Sequence, residues 1–161
     1  MHAPAVQDEV NPMKLTGGRQ RIEVSLLWLA SLLITIGIAV YVVDRGAVVH
    51  LPLGNQLPTF VHPFAFILIT AAVLQPWPRL LPAVCAGWFA LETAFEFGQR
   101  DPIAVGINAA VPGWFAGVPW LEAIPDYFAR GTYDPLDVLS IALGTLAAYG
   151  VVRRLQGGAM P

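Results

Sequence analysis

Four apolar runs, each long enough to cross a lipid bilayer, constrain this chain more than any other feature. They cover residues 24–43, 59–75, 80–97 and 136–152, and polar connectors separate them. About 20 apolar residues span the hydrocarbon core as a helix. The runs are continuous and lack the alternating pattern of barrel strands. We therefore predict an all-α fold, a polytopic four-helix transmembrane bundle with a long interfacial connector between spans three and four.

The composition agrees with a small membrane protein. Of its 161 residues, 56% are hydrophobic and 12% are charged, whereas a soluble domain carries about 25% charged residues. The length suits one membrane domain over residues 23–155, with a flexible cytoplasmic tail over 1–22 and a short tail over 156–161. The net charge of -2 gives no reason to expect a nucleic-acid partner. The single cysteine, Cys85, fits a packing role.

The positive charges predict an orientation. Of the nine Lys and Arg residues, six fall on one side of a four-span arrangement and three on the other. Cytoplasmic loops carry the excess of positive charge, which predicts that both termini lie in the cytoplasm. We expect the protein in the inner (plasma) membrane. The ends of spans one and three and the starts of spans two and four then share the outer face.

Acidic residues inside the spans predict a functional site. Glu92 and Glu96 lie in the third span, and Gln99 follows at the spacing that keeps all three on one stripe of a helix. Asp137 opens the fourth span and shares a stripe with Gly144, which predicts that it points into the bundle. Because lipid excludes ionisable groups, such residues are functional candidates by default.

Structural explanations stay open for some of these residues. The run Asp134 to Asp137 resembles a helix start with an N-cap and an acid in the first turn. Glu96 has Arg100 one turn later as a potential ion-pair partner. Thr59 is a candidate N-cap for the second span, with Pro63 in its first turn. In the third span, small residues are expected to let helices approach closely. They are Ala83, Gly87, Ala90 and Ala94.

The sequence contains no familiar catalytic or cofactor pattern. No HExxH, nucleophile elbow or phosphate-binding glycine loop is present. We therefore expect binding rather than catalysis, with no cofactor and no metal, and keep an enzyme acting on lipid as the weakest alternative. The connector of residues 100–134 is rich in Pro, Gly and Trp. It predicts short interfacial helices starting at Asp101 and within residues 120–128.

The pattern resembles the VanZ-like family of small bacterial membrane proteins. Glu96-Phe97-Gly98-Gln99 is similar to the E-x-x-Q near the end of one family span. Asp137 to Gly144 resembles the D-V/L-x-x-N-x-x-G run that opens the next span, and His62 before Pro63 resembles the start of the second span. The resemblance covers residues 59 to 150. It departs from the family at Ile141, in the place of the usual Asn, and at Gly131, where an arginine is expected and Arg130 stands one place away.

The resemblance implies a role in the bacterial cell envelope. The family takes its name from a component associated with resistance to the glycopeptide teicoplanin, and the resemblance points to Glu96, Gln99 and Asp137 as the common site. We expect an envelope lipid or peptidoglycan-related precursor to bind there, with Gln99 and Arg130 as hydrogen-bond donors. The predicted ligand-binding side chains are His62, Glu92, Glu96, Gln99, Arg130, Asp134 and Asp137.

Two other function classes stay open. The chain is a structural or assembly subunit if its small-residue stripes face the helices of a membrane-protein partner. It is a proton- or cation-coupled transporter if Glu92, the deepest acid, carries the coupling ion. The absence of an inverted repeat disfavours the transporter.

Overall fold

Every regular element of the described chain is helical. The computed structural model describes residues 12–45, 56–119 and 121–157, and it contains no strand within them. Two short 3-10 helices, Pro78–Leu80 and Gly113–Phe115, accompany the α-helices. The α-helices are α1 (Pro12–Arg45), α2 (Gln56–Val73), α3 (Leu81–Gly98), α4 (Asp101–Ala110), α5 (Ala123–Arg130) and α6 (Pro135–Gly157).

Four segments of the described residues are long and apolar enough to cross a membrane. They are Gly18–Val43, Gln56–Val73, Pro78–Gly98 and Pro135–Gly157. The predicted all-α, four-span architecture is therefore confirmed. Within a bilayer every backbone polar group must be satisfied internally, and a helix does this without help from neighbouring segments.

α2 is the central helix of the bundle. α1 and α6 pack along it, and α3 contacts both α2 and α6. The fully buried side chains Leu26, Ile67, Leu68 and Val152 come from α1, α2 and α6. Large apolar side chains such as Trp28 cover the outside of the bundle, as expected for helices that face lipid.

A glycine sets the approach of α6 to α2. A Cβ atom at Gly144 would collide with the backbone carbonyl of Phe60 and come within 3.3 Å of the Pro63 ring. Gly144 and Ala148 are both buried. The predicted small-residue stripe of α6 therefore faces the bundle, where it lets the two backbones come close.

The small-residue stripe of α3 lies on the opposite side from the bundle. Its four members are exposed, and the space around Gly87 is open to beyond 4 Å. The expectation that these residues admit a neighbouring helix is not met within the described part of this chain. Trp88, Glu92 and Glu96 occupy the inward face instead, where they contact neighbouring parts of the chain.

The start of α2 differs from the prediction. The helix begins at Gln56, so Thr59 is not its N-cap and Pro63 lies inside the helix. Pro63 lacks the N–H that would bond the carbonyl of Thr59 one turn earlier. Its ring is buried beside α6, and this packing compensates the local loss. The preference of proline for the first turn of a helix predicted a start for α2 that is too late, because this preference does not include such tertiary contacts.

The helices also extend beyond the predicted spans at the two termini. α1 begins at Pro12, so residues 12–22 are helical where the sequence predicted a tail. Extending an existing helix costs less than nucleating a new one. α6 continues to Gly157. The rest of both predicted tails, residues 1–11 and 158–161, lies outside the described residues, as does most of the first connector, residues 46–55.

The long connector folds back over one end of the bundle. α4 starts at Asp101, as predicted, and α5 starts at Ala123 within the second predicted segment. Trp120, the predicted start of that segment, lies outside the described residues. α4 packs against α5 and α3, and the buried ring of Phe128 lies against Gly98 at the end of α3. The connector thereby carries α5 to the polar ends of α3 and α6.

Candidate functional site

The end of α3 holds two buried polar side chains. Glu96 is 8% exposed and Gln99 is 9% exposed. The amide nitrogen of Gln99 donates to Oε1 of Glu96 over 3.1 Å and to the hydroxyl oxygen of Tyr127 over 3.0 Å. Gln99 therefore links α3 to α5, and both of its amide hydrogens are donated to groups of the protein.

A glycine after α5 makes room for Gln99. A Cβ atom at Gly131 would overlap the side-chain amide of Gln99. The backbone of Gly131 is ordinary, with φ of -68° and ψ of 151°, so the glycine is needed for space rather than for conformation. A side chain at 131 and Gln99 in its present position exclude each other. This exclusion gives a structural reason for the glycine where the VanZ-like pattern has an arginine.

The first turn of α6 brings a second carboxyl group to the same place. The Asp137 carboxyl lies beside the Thr59 hydroxyl of α2, which hydrogen-bonds to it. It is also close enough to the Glu96 carboxyl for electrostatic repulsion between them. The structure thus brings together Glu96, Gln99 and Asp137.

Asp134 caps the first turn of α6, as the structural explanation for the run Asp134 to Asp137 proposed. Its Oδ1 accepts a hydrogen bond from the backbone N–H of Leu136 over 2.8 Å, and its carbonyl accepts from the N–H of Asp137 over 3.0 Å. One carboxylate oxygen of Asp134 is therefore occupied by capping. Its backbone N–H lies close to the Glu96 carboxyl.

Two buried carboxyl oxygens of this cluster have no partner. Within the described part of the chain, neither Oε2 of Glu96 nor Oδ1 of Asp137 has a hydrogen-bond partner. Leaving a buried acceptor unsatisfied costs about 1–3 kcal/mol, and two nearby carboxylates repel each other in a medium of low dielectric constant. A proton-donating group placed between them would remove both penalties.

Tyr127 is a member of the cluster that the sequence analysis missed. Its phenol oxygen accepts from Gln99, which leaves the phenol hydrogen to donate elsewhere. Burial, together with the nearby Glu96 carboxylate, raises the pKa of Tyr127, so the hydroxyl stays protonated at neutral pH. An amphipathic pattern in α5 was the available signal, but it could not show which aromatic residue meets Gln99.

Glu92, which also lies on α3, forms a separate polar pair with His62 of α2. Its Oε1 lies 2.8 Å from Nδ1 of His62 on α2, and the two side chains are 15% and 59% exposed, respectively. The His62 ring meets the ring of Phe66 edge-on at 4.5 Å. The predicted polar stripe of α3 therefore divides, since Glu92 contacts α2 while Glu96 and Gln99 contact α5 and the start of α6.

Arg130 does not supply the predicted donor to the cluster. Its guanidinium pairs with Asp126 one turn earlier in α5, at 2.8 Å, and its side chain is 79% exposed. Arg100 is also engaged elsewhere, since it lies over the rings of Phe97 at 5.6 Å and Tyr133 at 4.8 Å. The i,i+4 pair of Glu96 with Arg100 is absent because Gln99 takes the Glu96 carboxylate and aromatic rings take the guanidinium.

The carboxyl groups of the cluster and the His62–Glu92 pair are not arranged as a metal site. Among the described residues, no group of three or more His, Cys, Asp or Glu side chains is arranged to hold a metal ion. The arrangement is instead a buried polar cluster between helix ends, with an excess of hydrogen-bond acceptors.

Comparison with known proteins leaves the chain without an assigned relative. No protein-family model, curated protein or solved structure matches it. The resemblance to the VanZ-like family therefore stays a prediction from short motifs.

Proposed function

We propose that this is a multi-pass protein of the bacterial plasma membrane that binds an envelope ligand at the outer ends of α2, α3 and α6. The observation that carries the proposal is the unpartnered Oε2 of Glu96, in a residue more than nine-tenths buried, beside the unpartnered Oδ1 of Asp137. Buried polar atoms in proteins are almost always satisfied. A ligand supplies the missing partner.

The charges of the cluster favour a ligand that donates hydrogen bonds. The free oxygens of Glu96 and Asp137 are acceptors, and Gln99 has already used its two amide hydrogens. Carboxylates repel an anionic group, so the cluster disfavours a bare phosphate. Ammonium and hydroxyl groups of a lipid headgroup or a peptidoglycan-related precursor have the required donors.

The location of the cluster suits a membrane amphiphile. Glu96 and Asp137 lie within one turn of the ends of their membrane-spanning helices, where headgroups meet hydrocarbon. The bias of Lys and Arg favours an orientation in which this end faces away from the cytoplasm. The VanZ-like motifs cover Glu96, Gln99 and Asp137, and they support an envelope role linked to glycopeptide tolerance.

Two single substitutions test the proposal. Glu96→Gln and Asp137→Asn keep side-chain shape, but each replaces one carboxylate of the acceptor pair with an uncharged amide. We expect each to reduce co-purifying lipid, measured by native mass spectrometry, and to raise sensitivity to teicoplanin at normal protein level. Asp126→Asn is the matched control, because it changes a carboxylate of α5 that pairs on the surface. Normal protein level with unchanged lipid and unchanged sensitivity in both variants would overturn the proposal.

The exposed face of α3 supports a second candidate, an assembly subunit. Small residues repeat along this face, and the described chain leaves it uncovered. Helices associate in membranes through such faces. Purification in a mild detergent separates the candidates, since a stoichiometric partner that survives Glu96→Gln and leaves with Gly87→Leu would favour the subunit.

A further inference from the structure

The two α-helices of the connector present surfaces of opposite chemistry. The sequence predicts both as interfacial helices, and they pack against each other beside the end of α3. We propose that the connector crosses the lipid–water boundary. The outer face of α4, formed by Pro102, Val105, Gly106 and Ala109, lies among the acyl chains of the leaflet in which α3 ends, while α5 faces water. This lipid contact is independent of the ligand that the polar cluster binds.

The outer face of α4 has neither a charge nor a hydrogen-bonding side chain. Its four residues recur at a helical spacing that keeps them together, and all four are exposed, with Val105 at 69%. The other side of the helix packs within the protein: Ala104 is buried, and a Cβ atom at Gly98 would lie 3.3 Å from the Ile107 side chain. A contiguous apolar surface of this kind marks a contact with lipid or protein.

The uncharged stretch continues beyond α4. No Asp, Glu, Lys or Arg occurs from residue 102 to residue 121. Within this stretch Trp114 is 66% exposed, and tryptophan side chains concentrate where membranes meet water. The ten residues of α4 extend about 15 Å, which is too short for a hydrocarbon core of about 30 Å. α4 therefore enters one leaflet and does not form a fifth span.

The chain itself keeps α4 at the membrane. The third span ends at Gly98, and α4 begins at Asp101, a separation that the backbone bridges over at most about 11 Å. α4 also packs against α3, so it stays beside the leaflet in which α3 ends. Lipid is present at this level around every copy of the protein, which favours lipid over a protein partner as the occupant of the outer face.

The first turn of α4 is compatible with a position in lipid. The carbonyl of Arg100 accepts hydrogen bonds from the N–H groups of Ile103 and Ala104, both over 2.8 Å. Pro102 has no N–H. The start of the helix therefore exposes few backbone donors, as hydrocarbon requires.

α5 has the opposite chemistry. Glu122, Asp126 and Arg130 recur one turn apart and are all exposed, and Asp126 pairs with Arg130 at the surface. The apolar side of α5 is used for packing, because the buried Phe128 ring lies against Gly98. Charged side chains are costly in hydrocarbon, so the exposed side of α5 requires water.

Spin labels at two exposed positions test the proposal. In the full chain, Cys85→Ala removes the native thiol, and Val105→Cys or Asp126→Cys then carries a nitroxide. The labelled proteins are placed in phosphatidylcholine vesicles, and collisions with apolar oxygen and with polar nickel ethylenediaminediacetate are measured by electron paramagnetic resonance. We expect oxygen to dominate at residue 105 and the nickel complex at residue 126, so that the logarithm of the accessibility ratio changes sign between them.

Two further positions serve as controls. Leu146→Cys gives the lipid reference, since Leu146 lies in the span formed by α6 and is 66% exposed. Ala109→Cys repeats the measurement one turn further along the outer face of α4. A thermal unfolding profile checks that each labelled protein is folded, and residue 109 decides the result if Val105→Cys does not fold.

Three results would overturn the proposal. Collisions dominated by the nickel complex at residues 105 and 109 would place α4 in water. Low collision rates with both reagents at these positions would show that another protein or a second copy of the chain covers the face. Oxygen-dominated collisions at residue 126 as well as at residue 105 would remove the division between the two helices.

Discussion

Two of the contact surfaces of α2, toward α6 and toward α3, follow different rules. Toward α6 the helix meets a backbone, because Gly144 leaves no atom between itself and the carbonyl of Phe60. Toward α3 it meets side chains: the Trp88 ring stacks on Phe66 at 4.8 Å and its indole nitrogen donates to Thr70 over 3.0 Å. The first surface is apolar and closely packed, and the second is aromatic and polar.

This difference separates the contacts that hold the bundle together from the residues of the proposed binding site. Around Gly144 the α2–α6 contact is a close approach of two backbones, which fixes the distance between two spans. The unpartnered acceptors lie in the polar cluster at the helix ends, on Oε2 of Glu96 in α3 and on Oδ1 of Asp137 in the first turn of α6. Substitutions at the first surface should therefore change stability, and those around α3 should change binding before they change stability.

Gly144→Val should have the largest effect on stability. The new side chain meets the Phe60 backbone and the Pro63 ring, neither of which moves without displacing α2. We expect a loss in free energy of unfolding at the upper end of the roughly 1–3 kcal/mol typical of overpacking. Titration with SDS in mixed micelles measures it.

Gly87→Val is the matched control for Gly144→Val. Both glycines lie within membrane-spanning helices, and both substitutions add the same side chain, but Gly87 has open space around it. Equal losses from the two variants would show that valine in a helix, rather than close approach of α2 and α6, controls the result.

Gly131→Ala should affect the cluster more than the bundle. The added Cβ displaces the Gln99 amide and breaks its hydrogen bonds to Glu96 and Tyr127. We expect a loss of stability of about 1–2 kcal/mol, together with a loss of retained lipid equal to that of Gln99→Ala. The double variant should lose little more than either single one, because both remove the same contacts. Additive losses would refute the proposed exclusion between residue 131 and Gln99.

Much of this arrangement could be predicted from the sequence, for identifiable reasons. Four apolar runs determine four spans, and chain direction alone then places the end of the third span beside the start of the fourth. Glu96 and Asp137 meet for that reason. Residue type and position along each helix were enough to predict the four spans and the proximity of Glu96 and Asp137.

Other parts of the site depend on tertiary contacts that no local pattern contains. Tyr127 joins the cluster because Phe128 packs on Gly98 and fixes the rotation of α5. Arg130 points away for the same reason, and it finds Asp126 one turn earlier. Helical spacing placed Glu92 and Glu96 on one stripe of α3. It could not show that Glu92 meets His62 of α2 while Glu96 meets Gln99.

Thr70→Val should have a smaller effect, at the polar contact between α2 and α3. It removes the acceptor of the Trp88 indole and keeps the shape of the side chain. Interhelical hydrogen bonds in membrane proteins contribute about 0.6 kcal/mol on average, and we expect a loss of that size in the same SDS titration. Thr35→Val is the control, since the Thr35 hydroxyl bonds only within α1, to the Ser31 carbonyl. A loss above that of Gly144→Val would reverse the ranking of the two surfaces.

The smallest effect on the folded monomer is expected on the outer face of α3. Gly87→Leu places a large side chain where nothing lies within 4 Å, so the free energy of unfolding of a monomer should change by less than about 0.5 kcal/mol. The same variant is sensitive to a partner helix, because leucine blocks the close approach that small residues permit. Size-exclusion chromatography with light scattering in mild detergent, run beside the SDS titration, distinguishes the two cases. Unchanged mass and stability mean that α3 presents this face to lipid. A fall in mass at constant monomer stability would make the face of α3 an interface, and would add assembly to the ligand binding that we propose for this helix.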